Sequence, residues 1–189
     1  VRPGEPPRVP RPPLPPQALV FWGVVEPYKG VDLFEALAAD PGWRRLGVPL
    51  EVHGRWAASL QPLAQRLRAL GVTVVDGYLD AAALERLLAR PVIFLLPYRR
   101  ASQSGALYTL LHAGCTMLCS DTGDLGDTLR RHGLQALLLR DRSPAAVVEA
   151  LERLRQDPGA VQAALQHAQQ AADWDAALQA AADAYALRP

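Results

Sequence analysis

The apolar positions of the chain fall into six short runs, and each run is followed by a longer stretch with helical periodicity. The runs have the length and the β-branched content of buried strands. They are Leu19–Val25, Leu50–His53, Val72–Asp76, Val92–Leu96, Thr116–Ser120 and Ala136–Leu139. Because strands alternate with helices over short connections, this pattern predicts a parallel sheet with helices on both faces.

The stretches between the strands predict helices whose apolar residues recur three and four positions apart. Their predicted ranges are 31–39, 56–70, 81–88, a helix that begins at 102–105, 125–131, 143–155, 161–171 and a last one from about residue 174. Asp80 and Ser143 are candidate N-caps, and Pro144 fits a first helical turn. The predicted fold class is α/β, a Rossmann-like parallel sheet of about six strands with extra C-terminal helices.

The first seventeen residues differ in composition from the rest. The segment from Val1 to Gln17 contains eight prolines and three arginines, and such a segment cannot bury a core. It also contains the Pro-x-x-Pro pattern that SH3 domains bind, so that interpretation stays open. We predict a Pro-rich interdomain linker over 1–17 and one folded domain over 18–189, and we expect the chain to be a fragment of a longer protein.

Composition and charge exclude several classes of protein. Half of the residues are hydrophobic and the formal net charge is +1, so a nucleic-acid binder with a basic patch is not expected. No apolar run reaches the ~18 residues of a membrane span, and no signal-peptide pattern is present. We expect Cys115 and Cys119 to be reduced, buried thiols. The four histidines lack metal-ligand spacing, which predicts no metal site.

In a parallel α/β sheet, ligands bind beside the carboxyl ends of the strands. Five predicted loops lie at this edge and hold most of the candidate polar residues: 26–30, 53–55, 77–80, 97–105 and 121–126. In the loop 97–105, a buried strand gives way to small polar residues before a helix. Ser102 or Ser104 can cap that helix, and Gly105 allows a ligand to approach the backbone. Free N–H groups and the helix dipole make this turn suitable for a phosphate.

Lysine usage points to a second position at the same edge. The chain has twenty cationic side chains, and Lys29 is the one that is not an arginine. It lies in the turn directly after the first predicted strand. A lysine ammonium is a compact, mobile charge that suits a phosphate. The turn lacks the glycines of a Walker loop and of a dinucleotide fingerprint, so the predicted phosphate contact is of another kind.

Several further segments occur along the chain in a specific order. They are Phe21–Gly23, Pro27–Leu33, Glu51–Gly54, Val74–Asp80, Leu96–Tyr98, Ser102–Gly105, Ser120–Gly123 and Trp174. In this order they resemble the C-terminal, nucleotide-sugar-binding half of family-4 glycosyltransferases, which have the GT-B architecture of two Rossmann-like domains. The Pro-Tyr…Ser-Gln-Ser-Gly loop is similar to that of a bacterial subgroup, and the resemblance covers residues 19–185.

Three positions depart from the family pattern. Val24 stands where the family has an arginine, and Ala101 and Thr109 stand where it has two glutamates eight residues apart. The resemblance implies that the first glutamate lies near the donor sugar and that the second binds the ribose. Thr109 can still offer the ribose one hydrogen bond, and Arg99 is a candidate replacement for the missing arginine. These departures leave open whether the site is catalytic.

The resemblance implies a site for a nucleotide-diphosphate sugar, UDP- or GDP-linked, as donor substrate, with no cofactor and no metal. The implied contacts are Gly23, Lys29, Tyr78, Arg99, Ser102, Gln103, Ser104, Gly105 and Thr109. Lys29 and Ser104 are the candidate catalytic residues, because charge gathers on the departing diphosphate. Tyr78 is expected beside the base, and His53, at a strand end, is a weaker candidate. Asp173 and Asp175 spell an Asp-x-Asp motif, but their place at a helix start favours capping.

The implied reaction is a retaining sugar transfer to a glycan or a small-molecule acceptor. The acceptor would bind to an N-terminal domain outside this chain, so we expect the isolated domain to be inactive. The full-length protein is expected in the cytoplasm, with peripheral association at the inner face of the membrane left open. Two alternatives also stay open: a non-catalytic relative that binds a nucleotide or a protein, and another enzyme such as a nucleotide-sugar epimerase. The sequence specifies neither the base, the sugar nor the acceptor.

Overall fold

A parallel six-stranded sheet forms the centre of the fold. The computed structural model describes residues 12–171. The strands are β1 (Leu19–Trp22), β2 (Leu50–Gly54), β3 (Thr73–Asp76), β4 (Ile93–Leu96), β5 (Met117–Ser120) and β6 (Leu138–Leu139). Their order in the sheet is β3-β2-β1-β4-β5-β6. The chain therefore reverses direction across the sheet between β1 and β4, which is the position where such folds bind ligands.

Two groups of helices cover the sheet. They are α1 (Asp32–Ala39), α2 (Pro41–Leu46), α3 (Gln61–Ala69), α4 (Ala81–Leu88), α5 (Gly105–His112), α6 (Gly123–Arg131), α7 (Pro144–Gln156) and α8 (Pro158–Ala171). Helix α1 packs against α2, α3 and α7, whereas α5 packs against α8. Because crossovers between parallel strands are right-handed, the reversal of the strand order between β1 and β4 puts helices on both faces of the sheet. The predicted α/β, Rossmann-like class is confirmed.

Burial falls from the centre of the sheet towards the β3 edge. Every residue of β4 and β5 is buried, as expected for parallel strands covered on both faces. Strand β2 alternates between buried and half-buried residues. The half-buried Glu51 receives two hydrogen bonds of 2.8 Å from Arg90 and one contact of 2.8 Å from His53. These bonds, first of all those from Arg90, lower the pKa of Glu51. The edge strand β3 is largely exposed.

Capping residues fix the starts of two predicted helices. The Asp80 carboxylate accepts the Ala83 N–H at 2.7 Å at the start of α4, and the Ser143 hydroxyl oxygen accepts the Ala146 N–H at 3.2 Å at the start of α7. Both predicted N-caps are confirmed. Helix α2 was not predicted, because its six residues are too few to show a helical period.

Several predicted elements are shorter in the structure than in the prediction. Strand β1 ends at Trp22 instead of Val25. Helix α3 begins at Gln61, because Trp56 pairs with Val25 in an isolated bridge and a 3₁₀ turn follows at Ala58–Leu60. A 3₁₀ turn over Gln135–Leu137 likewise replaces the first part of the predicted sixth strand. The helix predicted from about residue 174 lies outside the described residues.

The end of the Pro-rich segment packs against the domain. The Gln17 N–H donates to the Pro91 carbonyl at 3.0 Å. Leu14 lies with Pro15 and Pro16 in a groove beside α2 and α7. The described residues before β1 thus extend the core, while the boundary at 17/18 stays a prediction.

The two cysteines are free and buried, which confirms the prediction of reduced, buried thiols. Burial raises the pKa of the Cys115 thiol to about 12, and it raises that of Cys119 as well. Neither thiol is therefore a ready nucleophile near neutral pH.

Within residues 12–171, no helix has the length and hydropathy needed to cross a bilayer. The same residues contain no group of three or more His, Cys, Asp or Glu side chains arranged to hold a metal ion. The Asp173-Trp174-Asp175 motif lies outside this range, so both the capping role and the absence of a metal stay predictions.

Candidate functional site

The loops after β1 and β4 touch at the point where the strand order reverses. The Arg99 N–H donates to the Tyr28 carbonyl at 2.7 Å. Gly30 has a φ of 67°, and a Cβ there would overlap the Pro97 carbonyl oxygen. Glycine is therefore required for the two loops to approach this closely. The rings of Tyr28 and Tyr98 meet edge to face, with centroids 6.1 Å apart.

Lys29 is held between these two loops. The residue is 8% exposed, and its ammonium lies 5.8 Å from the Tyr28 ring centroid and 5.7 Å from that of Tyr98. A Cβ on Gly23 would lie 3.6 Å from the Lys29 Nζ, so the glycine leaves room for the ammonium. Burial lowers the pKa of Lys29, and the nearby Glu26 carboxylate partly opposes this effect. Among the described residues, Lys29 belongs to no ion pair. A buried ammonium without a paired carboxylate suits an anionic ligand.

An open cleft of about 490 Å³ lies beside Tyr28. It is lined by Glu26, Tyr28, Arg100, Ala101, Ser102 and Gln103. The Arg100 guanidinium lies 5.9 Å from the Tyr28 ring centroid, so Tyr28 contacts two cations, Arg100 and Lys29. The predicted contacts Ser102 and Gln103 are exposed in this cleft.

The N-terminus of α5 lies directly after the cleft-lining loop. Ser104 is 4% exposed, and its hydroxyl oxygen accepts the Leu107 N–H at 3.2 Å. Of the two candidate caps of this helix, Ser104 is therefore the N-cap. The Thr109 hydroxyl donates to the Gly105 carbonyl at 2.9 Å, which leaves its oxygen as an acceptor only. Gly105 is the first residue of the helix, where backbone N–H groups lack intrahelical partners.

Helix α6 supports the cleft loop from behind. The Asp124 N–H donates to the Ala101 carbonyl at 3.2 Å, and a Cβ on Gly123, whose φ is 45°, would overlap that carbonyl oxygen. The Tyr108 hydroxyl donates to the Asp124 carboxylate at 3.0 Å, and Thr128 does so at 3.1 Å. Burial raises the pKa of Tyr108. Sequence reasoning missed this support because only the fold brings α6 against the loop.

Three candidates lie apart from the cleft. Arg99 turns the other way and donates to Asp32 at 2.7 Å, in a second cleft of about 350 Å³ beside α1 and α3. Tyr78 is 70% exposed, and the Arg55 guanidinium lies 5.0 Å from its ring centroid. His53 is half-buried against Glu51. Of the two adjacent arginines, Arg100 lines the cleft and Arg99 does not, and a role of Arg99 in place of the missing arginine stays a prediction.

The model of the family described as Glycosyl transferases group 1 matches residues 16–157. The match includes all six strands and the loops that form the cleft. The chain belongs to the group 1 glycosyl transferases. A search of curated protein sequences finds no significant match.

Solved structures of glycosyltransferases share the fold of this group 1 chain. The catalytic domain of cholesterol-α-glucosyltransferase from Helicobacter pylori is 13% identical with a TM-score of 0.63, over 82% of this chain and 99% of that one. Anabaena Alr3699/HepE, in complex with UDP and glucose, is 16% identical with a TM-score of 0.66, over 92% and 49%. WaaG, a glycosyltransferase involved in lipopolysaccharide biosynthesis, is 22% identical with a TM-score of 0.64, over 88% and 46%.

At such low identity these similarities show the fold alone, and that fold is the one of a GT-B-like glycosyltransferase domain. The group 1 chain spans nearly all of the Helicobacter domain but about half of HepE and of WaaG.

Proposed function

We propose that the chain is the donor-binding, C-terminal domain of a retaining glycosyltransferase that uses a UDP- or GDP-linked sugar. The observation that carries the proposal is the environment of Lys29. Its ammonium is buried beside the cleft, contacts two aromatic rings and has no carboxylate ion pair among the described residues. Glu26 is near but not paired with Lys29, so a diphosphate would supply an anionic partner in direct contact with the ammonium.

The proposed chemistry is electrostatic. When the bond between the sugar carbon and the phosphate oxygen breaks, the electron pair and the developing negative charge stay on the diphosphate. Lys29 would stabilise that charge, together with the free N–H groups at the start of α5. Arg100 is a second cation on the same ring of Tyr28, and Ser102 and Gln103 are exposed polar groups in the cleft. No metal is required for this role.

Several features of the whole protein belong to the same proposal. The acceptor would bind to an N-terminal domain, as in other proteins of GT-B architecture, so the isolated chain would bind the donor without transferring the sugar. The HepE structure contains UDP and glucose, which makes UDP the first nucleotide to test. We propose a cytoplasmic enzyme, with peripheral attachment to the inner face of the membrane as a further property to test.

A second candidate function is a non-catalytic nucleotide-binding domain. It is favoured by the positions where the family resemblance expects glutamates. Ala101 has no carboxylate to offer the donor sugar, and the Thr109 hydroxyl proton is already used by the Gly105 carbonyl. This candidate predicts nucleotide binding without sugar transfer, even in the full-length protein.

The test is a calorimetric titration of the chain with UDP, GDP, ADP, TDP and CMP. We expect one nucleoside diphosphate to bind, and Lys29→Ala to weaken it about 10- to 100-fold, as for loss of a charge-assisted hydrogen bond. Arg66→Ala is the matched control, because the exposed Arg66 pairs with Glu35 and does not line the cleft of Tyr28, and it should change the affinity less than about twofold. Glu26→Gln should tighten binding, since it removes a carboxylate from the cleft.

Absence of binding by every nucleotide, or equal affinity of Lys29→Ala and the wild type, would contradict the donor-site proposal. If a nucleotide binds, full-length protein assayed with the corresponding nucleotide sugar separates the two candidates. Transfer to an acceptor supports the glycosyltransferase, and binding without any transfer supports the non-catalytic domain. Turnover of the sugar without an acceptor would instead support an epimerase-like enzyme.

A further inference from the structure

Arg142 joins the two loops that enclose Lys29. It lies between β6 and α7, far along the chain from both loops. Its Nε donates to the Pro97 carbonyl at 2.7 Å, and its Nη2 donates to the Gly30 carbonyl at 3.1 Å. One guanidinium therefore bonds to the residue that follows Lys29 and to the residue that precedes Tyr98.

A carboxylate closes this arrangement into a network. The Arg142 Nη2 also donates to the Asp32 Oδ1 at 3.2 Å, and the Asp32 Oδ2 accepts from Arg99 at 2.7 Å. The backbone N–H of Arg99 in turn donates to the Tyr28 carbonyl at 2.7 Å. The bonded residues flank Lys29, Tyr28 and Tyr98 in sequence, so the network fixes the backbone that carries both rings and the ammonium.

The chemistry of the side chain fits this task. Arginine has five N–H donors in a planar fork, so it can bond two carbonyls and a carboxylate at once, which a lysine ammonium on a flexible stem cannot do in the same geometry. The Arg142 side chain is 23% exposed. Its hydrogen bonds are therefore better protected from water than those of a surface ion pair.

We propose that Arg142 is a positioning residue for the donor site, which holds the two loops together so that the Lys29 ammonium is in place before the ligand binds. This inference rests on the proposed function, because it gives Lys29 the role of the anion contact. The competing explanation is that Arg142 only braces the fold. Arg153 is the matched control for that explanation, since its Nη2 donates to the Leu138 carbonyl at 2.9 Å away from the two loops.

The first experiment reads the position of Lys29 without any ligand. Lys29 is the sole lysine of the chain, so ¹³C-dimethylation of amines followed by NMR titration reports Lys29 and the terminal amine only. We expect Arg142→Gln, and equally Arg142→Lys, which keeps the positive charge, to move the pKa of Lys29 up towards its ordinary value of 10.5, because the opened loops let water reach the ammonium. Arg153→Gln should leave the pKa of Lys29 unchanged.

The second experiment measures coupling between the two residues. We expect Arg142→Gln to weaken binding of UDP, or of the nucleotide found by titration, about tenfold in the wild-type background and less than twofold in the Lys29→Ala background. Arg142→Lys, which keeps the charge but not the fork, should bind as weakly as Arg142→Gln. If Arg142→Gln does not fold, Asp32→Asn takes its place, because it keeps the guanidinium and removes only the carboxylate. We expect it to weaken nucleotide binding less than Arg142→Gln does.

Three results would overturn the proposal. The first is an unchanged pKa of Lys29 in Arg142→Gln, and the second is an equal loss of nucleotide affinity in the wild-type and Lys29→Ala backgrounds. The third is wild-type nucleotide affinity in Arg142→Lys, which would show a role of charge alone. Failure of the proposed function is a different result. In that case no nucleotide binds the wild type, but the Lys29 titration still decides whether Arg142 positions the ammonium.

Discussion

The carboxyl edge of the sheet has two unlike halves. After β1 and β4, the loops enclose Lys29 at 8% exposure, and the Arg142 network ties them together. After β3, Tyr78 is 70% exposed, with the Arg55 guanidinium over its ring, and a Cβ on Gly77 would meet no atom within 4 Å. One half is packed before any ligand binds, whereas the other is open.

This difference suggests a division of labour within the proposed donor site. A group that is already in place loses little conformational freedom when it binds, so the packed half suits the diphosphate that every nucleotide donor shares. Exposed side chains can adapt to different bases, so the open half suits the base, which is the part of the nucleotide that varies between donors. Substitutions in the packed half should change both stability and affinity, and substitutions in the open half should change affinity alone.

Gly30→Ala gives the largest expected effect. At a φ of 67°, a Cβ costs about 1 kcal/mol, and here it would also overlap the Pro97 carbonyl. We expect the free energy of unfolding, measured by urea denaturation, to fall by about 3 kcal/mol. Nucleotide affinity should fall as well, because the two loops are forced apart.

Gly47→Ala is the matched control for this substitution. Gly47 has a φ of 65° at the end of α2, and a Cβ there would meet no atom within 4 Å. The free energy of unfolding of Gly47→Ala should fall only by the conformational cost of a Cβ at positive φ, about 1 kcal/mol. Its nucleotide affinity should equal that of the wild type. Equal losses of stability in the two variants would show that contact between the loops does not stabilise the packed half.

Local signals along the sequence predicted the sheet and part of the site. The strand-helix alternation gave the fold class, and the short polar stretch before α5 led to the N-cap Ser104. Lys29 became a candidate because it is the sole lysine, just after a predicted strand. Each of these signals is carried by neighbouring residues, so no long-range contact had to be known.

The contacts that complete the packed half were not predictable in this way. Arg99 and Arg100 are adjacent and chemically identical, and only the folded loop shows that Arg99 pairs with Asp32 while Arg100 faces the cleft. Arg142 bonds to Gly30 across more than a hundred positions of sequence. A single sequence contains no local signal for such a contact, because it depends on how β6 and β1 are placed in the sheet.

Lys29→Met gives an intermediate effect that separates stability from affinity. The substitution keeps a long unbranched side chain and removes a buried charge, so we expect the free energy of unfolding at pH 7 to rise by about 1 kcal/mol while nucleotide affinity falls about 10- to 100-fold. Because burial lowers the pKa of Lys29, the unfolded chain binds this proton more tightly than the folded chain does. The contribution of Lys29 to wild-type stability should therefore rise with pH between the folded pKa of Lys29 and 10.5, and the advantage of Lys29→Met should shrink over the same window.

Urea denaturation of both proteins at several pH values checks this prediction, and taking their difference removes the titration of all other groups. Arg90→Met is a contrasting variant, because it leaves the half-buried Glu51 without its bidentate partner, and it should destabilise the fold. A loss of stability in Lys29→Met at pH 7 would mean that contacts of the ammonium with Tyr28 and Tyr98 outweigh its desolvation.

Tyr78→Ala gives the smallest expected effect and tests the open half. Because Tyr78 is 70% exposed, we expect the free energy of unfolding to stay within about 0.5 kcal/mol of the wild type. If the ring stacks on the base, nucleotide affinity should fall about fivefold, near the low end for base–aromatic stacking. The difference in affinity between nucleotides with different bases should become smaller. Tyr78→Phe keeps the ring and should bind as the wild type does.

Calorimetric titration of Tyr78→Ala with two nucleoside diphosphates that differ only in the base measures both the affinity and the preference among bases. Unchanged affinity and preference in Tyr78→Ala would place the base elsewhere, and the open half would then have no part in donor selection.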